Sequence, residues 1–150
     1  MCVFDLFQSR EKQTCGVGDS PLNEKNTPER IETLGPNDIF VFGSNLQGCH
    51  AGGAARIAMN RFGAIYGKGV GLQGNTYAIP TMQGGVETIR PYVDEFIDFA
   101  KNHPDLTFYV TKIGCGIAGF SIGEIAPLFK ESKSVVNIHL PKEFDDIINS

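Results

Sequence analysis

A three-layer α/β/α sandwich with a mainly parallel sheet is the fold class that this sequence predicts. Three observations carry the prediction. From Asp38 onward, short apolar runs alternate with helix-length segments. Two of those runs end in glycine-rich turns that open a helix. The stretches between runs are long enough for right-handed crossovers between parallel strands, which leave helices on both faces of one sheet.

The elements follow in chain order. Residues 1–35 read as an irregular N-terminal arm or lid, because Gly16-Val17-Gly18-Asp19-Ser20-Pro21 and Thr27-Pro28-Glu29-Arg30 interrupt any regular period. Residues 36–150 form the expected domain. Ile39-Phe40-Val41-Phe42 is all apolar, as in a strand buried on both faces. Residues 51–61 read as an alanine-rich helix, and Tyr77-Ala78-Ile79-Pro80 as the next strand. In residues 88–101, Ile89, Val93, Phe96, Ile97 and Ala100 recur at helical spacing opposite Asp94, Glu95, Asp98 and Lys101, with Pro91 placed in the first turn.

Leu106 to Ile113 is dense in β-branched and aromatic residues and reads as a strand. Ser121-Ile122-Gly123-Glu124 matches a capping box and fixes a helix start, with Pro127 expected to kink that helix or shorten its opening turn. Residues 135–140 read as a strand and residues 141–148 as a closing helix. Residues 63–75 are too long for an ordinary connection and read as a mobile covering loop that carries Lys68. Its Gly-x-Gly-x-Gly leads into a strand instead of following one, which removes a dinucleotide fingerprint.

The 150 residues suit one core, and a net charge of −4 with a pI near 5.3 lacks the basic footprint of a nucleic-acid binder. The expected partner is a small molecule. No apolar stretch has membrane-spanning length and no secretory pattern opens the chain, so the expected location is cytoplasmic, without membrane association. Cys2, Cys15, Cys49 and Cys115 are irregularly spaced without a CxxC pair, which favours free thiols. No metal spacing is present, and neither a metal nor a cofactor is assigned.

The glycine-rich turns carry the functional expectation. Gly43-Ser44-Asn45 leads to Gly52-Gly53-Ala54-Ala55, and a later run ends in Gly114-Cys115-Gly116-Ile117-Ala118-Gly119-Phe120. Both sit where a strand hands over to a helix, so both can offer backbone N–H groups to one anion at the carboxyl edge of the sheet. Glycine suits such a site because it adopts positive φ and lets backbone approach a pyrophosphate closely.

This ordered pair of loops resembles the macrodomain, the ADP-ribose-binding α/β/α module, over roughly residues 38–140. The wording Ile113-Gly114-Cys115-Gly116 is nearest the branch that removes ADP-ribose from acylated glutamate. The resemblance implies that Gly52, Gly53 and Ala54 lie along the diphosphate and distal ribose and that Asn45 contacts that ribose. It also implies that residues 114–120 wrap the diphosphate, with Phe120 near the distal ribose. Gly43 and Ser44 complete the first loop. The family's catalytic set does not transfer: Ala55 and Ala118 stand where hydrolytic branches carry Asp, and no lysine stands near Thr81 and Met82. Glu32 and Asp38 are positional candidates for the adenine contact.

The expected function is binding of ADP-ribose or a related nucleotide diphosphate. The protein then acts as a reader of free or protein-linked ADP-ribose, or as a hydrolase of an ADP-ribosyl derivative with Asn45 orienting the ribose and His50 managing a proton. The alternative is a cysteine/histidine-dependent hydrolase of an unrelated small substrate, with Cys115 and His50 facing one another. Against these stand plainer roles: Cys115 packing a tight loop, His50 in a solvent-facing turn, Arg56 in a surface ion pair instead of on a phosphate. His103 reads as a helix C-cap, His139 as a sheet residue, and Asp145-Asp146 as a solvated helix face.

Overall fold

The computed structural model describes residues 26–149 except Glu29, Ala51 and Ile117. The expectation of an irregular arm falls mostly on residues outside the described ones. Strands β1 (Asp38–Ser44), β2 (Gly71–Gln73), β3 (Thr76–Pro80), β4 (Thr107–Val110) and β5 (Ile138–His139) form one sheet in the order β2-β3-β1-β4-β5. All neighbouring pairs are parallel except β2 with β3. The helices are α1 (Gly53–Arg61), α2 (Val86–Lys101), α3 (Ile122–Ile125) and α4 (Lys142–Asn149), with a 3₁₀ helix at Ala126–Ser134. The chain is an α/β protein with a mainly parallel sheet.

The pleat of β1 decides which helix goes where. Phe40 and Phe42 point to one face, where they meet Ala55 and Ala58 of α1 together with Phe62 and Ala78. Ile39 and Val41 point to the other, into a larger core built by α2, α3, the 3₁₀ helix and α4. Alanine at the α1 contact lets the helix approach the sheet closely. Ile31 and Leu34 of the N-terminal segment also pack on the α1 side, and Thr27 donates its N–H to the Leu140 carbonyl at 2.9 Å.

Several boundaries differ from expectation for physical reasons. Pro91 is the sixth residue of α2, past the first turn, so its missing N–H removes a bond to the Glu87 carbonyl. Strand β4 stops at Val110 because the Ile113 N–H folds back onto the Thr111 carbonyl at 2.8 Å. Only two residues of 135–140 form β5: Val135 caps the 3₁₀ helix, and the Asn137 amide turns inward to the carbonyls of Ala100, His103 and Leu106, each at 3.0 Å. The capping box is present, with Glu124 N–H on Ser121 Oγ at 3.2 Å and Ser121 N–H on Glu124 Oε1 at 2.9 Å. The helix it opens changes to 3₁₀ at Ala126, one residue before Pro127.

Lys112 and Glu143 tie the loop after β4 to α4 at 2.9 Å, and the Lys112 ammonium holds the Glu143 carboxyl below its usual range. A depressed carboxylate stabilises the fold above its unfolded pKa, and that contribution is lost as pH falls through the folded value. Both side chains are more than one-third exposed (36% and 42%), so screening limits the effect. Glu143→Gln is expected to lose about 0.2–1 kcal/mol at pH 7 in urea melts, and the difference from the unsubstituted protein should close as pH falls through the lowered Glu143 carboxyl titration.

Candidate functional site at the carboxyl end of the central strand

After β1 the chain turns to α1 on one face, whereas after β3 and β4, its two neighbours, it turns to helices on the other. Loops that part in this way open a crevice at the carboxyl end of β1, where open α/β sheets bind ligands. The three loops meet there. Thr81 N–H donates to the Ser44 carbonyl at 2.8 Å, and Leu46 N–H donates to Gln83 Oε1 at 3.0 Å. A methyl group at Gly43 would lie 3.2 Å from Thr81 Oγ1 and 3.3 Å from the Gly114 nitrogen, so glycine lets the strand end nest between both neighbouring loops.

Helix α1 starts with its donors open. Gly52, the N-cap, has no side chain to cap the first turn, no acidic residue follows in that turn, and the first intrahelical bond is Arg56 N–H to Gly52 O at 3.3 Å. The N–H groups of Gly53, Ala54 and Ala55 therefore have no helical acceptor. Gly53 has φ of +58° and a side chain there would meet nothing within 4 Å. In the loop after β4, Gly116 and Gly119 are equally open, and Gly119 has φ of +82°. That second loop closes on itself through Phe120 N–H to Gly114 O (2.8 Å) and Gly119 N–H to Gly116 O (3.0 Å). Ile117 lies outside the described residues; Ala118 is half-buried beside it.

The side chains take up places that the sequence did not signal. Asn45 closes its own loop: Oδ1 accepts from Cys49 N–H at 3.0 Å and Nδ2 donates to the Cys49 carbonyl at 3.4 Å. Ser44 is buried and donates its hydroxyl to the Gly69 carbonyl. Phe120 packs half-buried on the main core. His50 is fully buried, neither cleft-lining nor in a solvent-facing turn, with Nε2 2.9 Å from the Ile65 carbonyl and its ring edge-on to Phe42. Its Nδ1 has no hydrogen-bond partner among the described residues, and neither ring nitrogen bonds Cys115, so the expected pairing of His50 with Cys115 is not formed. Burial pushes the Cys115 thiol upward, outweighing the nearby Lys112, which leaves it a poor nucleophile.

The covering loop needs correction too. Its second half is edge strand β2, joined to β3 through Gly74 at φ +59°, and Lys68 Nζ donates to the Leu72 carbonyl at 2.9 Å. Its first half sits on the loop after β1. A side chain at Gly48 would run into the backbone of Gly67 and Lys68, and one at Gly69 into the Asn45 carbonyl. These two glycines admit another stretch of backbone, a use that single-sequence spacing does not distinguish from ligand approach.

Asp38 lies at the amino end of β1, about 20 Å along the strand from the glycine loops, and accepts from Gly35 N–H at 2.8 Å. Glu32 is also remote, lining a concavity of about 680 Å³ with Arg61 and Asn75. Arg56 is exposed on α1. His103 caps α2 through Nδ1 on the Phe99 carbonyl at 2.8 Å, His139 stacks on Tyr109, and Asp145 and Asp146 accept from Asn26 and Lys142. Among the described residues no cluster of three His, Cys, Asp or Glu side chains is placed to hold a metal, and no helix is long and apolar enough to cross a membrane.

The fold defines an α/β protein with a mainly parallel sheet and two glycine-rich loops after its neighbouring strands β1 and β4. No family model, curated protein or solved structure matches this chain.

Proposed function

We propose that the protein binds ADP-ribose or a related nucleotide diphosphate in the crevice between the loops after β1 and β4, as a reader of that ligand. The observation that carries this reading is the uncapped first turn of α1 with Gly53 open in it, together with the open glycines Gly116 and Gly119 in the loop after the neighbouring strand β4. Unpartnered N–H groups at a helix start complement a diphosphate in both hydrogen bonding and charge. The resemblance to the macrodomain supplies the nucleotide identity. Binding is favoured over turnover because the expected catalytic pair is not assembled: burial raises the Cys115 thiol and His50 is enclosed. The exposed thiol of the first loop is Cys49, whose Sγ lies 3.6 Å from the Tyr66 hydroxyl.

Calorimetric titration with ADP-ribose, AMP and ribose-5-phosphate tests the reading. Saturable ADP-ribose binding at least about tenfold tighter than either fragment supports a diphosphate site. Absence of ADP-ribose binding overturns it, and hydrolysis of ADP-ribosylated protein by the purified chain would overturn the reader assignment alone.

A further inference from the structure

The backbone of Ile65 is held at both its N–H and its carbonyl by buried polar side chains. His50 Nε2 lies 2.9 Å from its carbonyl oxygen, and Gln73 Oε1 accepts from its N–H at 2.6 Å. His50 is 1% exposed and Gln73 3%. A carbonyl only accepts, so Nε2 carries the proton that makes the first bond. Gln73 Nε2 also donates to the Lys68 carbonyl at 2.9 Å. Residues 65–69 thus form a strap with fixed ends, and its inner side lies on the loop that leads from β1 to α1. Gly67 N–H donates to the Gly48 carbonyl at 2.9 Å, and Ser44 Oγ donates to the Gly69 carbonyl.

We infer that His50 is a positioning residue: through Ile65 it seats the 65–69 strap on residues 44–50, and the seated strap holds the following residues, 52–54, in their anion-receiving conformation. The strap touches the first half of the loop and leaves Gly53 uncovered. It therefore shapes the site without occupying it. A loop whose glycines are free to sample many conformations loses entropy on binding unless something fixes it beforehand, and the strap is the element that does so. The ligand consequence rests on the function proposed above; the seating of the strap does not.

Two variants at His50 separate a hydrogen-bond role from simple core filling. His50→Phe keeps an aromatic ring edge-on to Phe42 and removes the N–H, whereas His50→Gln returns a donor at about the same reach. Amide exchange of the free protein is read at Gly48 and Gly67, and ADP-ribose affinity is read by calorimetry. His50→Phe should raise exchange at Gly67 and weaken ADP-ribose binding, each by about tenfold, with the far-ultraviolet spectrum unchanged. His50→Gln should recover most of both. Gly69→Ala, which pushes on the Asn45 carbonyl from outside the core, should reproduce the Phe phenotype and serves if His50→Phe does not fold. Unchanged exchange in these variants overturns the strap. Faster exchange with unaltered affinity overturns its link to the site. If the unsubstituted protein does not bind ADP-ribose, the functional proposal fails, and the exchange data alone decide whether His50 seats the strap.

Discussion

Phe96→Ala is expected to destabilise the protein by about 3–5 kcal/mol, the range for emptying a buried aromatic site. Phe96 is fully buried on the inner face of α2, and its ring centroid lies 5.1 Å from Tyr77 of β3, 5.4 Å from Phe108 of β4 and 6.4 Å from Phe129 of the 3₁₀ helix. Phe129 continues the contact to Phe144 of α4 at 5.8 Å. One ring therefore touches two strands and the 3₁₀ helix, and neighbours anchored in different elements cannot all move to fill the space. Against a total stability of about 5–15 kcal/mol, such a loss leaves a marginal fold. Urea denaturation should show a lower midpoint at unchanged slope. A loss under about 1.5 kcal/mol would mean that the core repacks around the site and that Phe96 is not its centre.

The same cluster shows why the architecture was legible in the sequence. The spacing of Ile89, Val93, Phe96, Ile97 and Ala100 is a local property, and all five are buried along one face of α2. The apolar run at residues 39–42 likewise became the central strand, buried on both faces. Strand lengths were less legible because distant partners set them. The inward turn of Asn137 toward three carbonyls around the end of α2 shortened β5. A polar residue in an apolar run carried the signal, but not the identity of its acceptors.

The candidate site was legible as a pair of glycine loops after neighbouring strands and illegible in its division of labour. Gly48 and Gly69 serve backbone-to-backbone packing, Gly43 serves strand nesting, and Gly53, Gly116 and Gly119 face open space. These roles look alike in sequence because a glycine records that something approaches closely, not what approaches. His50 was misjudged for a related reason. A titratable residue in a glycine loop reads as a cleft residue, yet here the strap folds over it and converts it into a buried donor.

That division of labour makes Gly53→Val the most informative change at the site. A Cβ there would meet no atom within 4 Å beyond its chain neighbours and its own helix backbone, so the substitution is expected to enter open space in the free protein. Its cost to the fold is the strain of a β-branched residue at φ +58°, about 1–2 kcal/mol. The open space is, in the proposed function, where the diphosphate meets the N–H groups of Gly53, Ala54 and Ala55. Two methyl groups there displace the phosphate and leave its charge without donors, so ADP-ribose affinity should fall by about a hundredfold or more. Gly53→Ala carries a smaller group and should lose less, giving the order Gly, Ala, Val in affinity while all three remain folded. Calorimetry alongside thermal melts checks both halves. A folded Gly53→Val protein that binds ADP-ribose like the unsubstituted chain would show that the start of α1 does not receive the diphosphate. The open glycines at positions 116 and 119 would then need a ligand of their own.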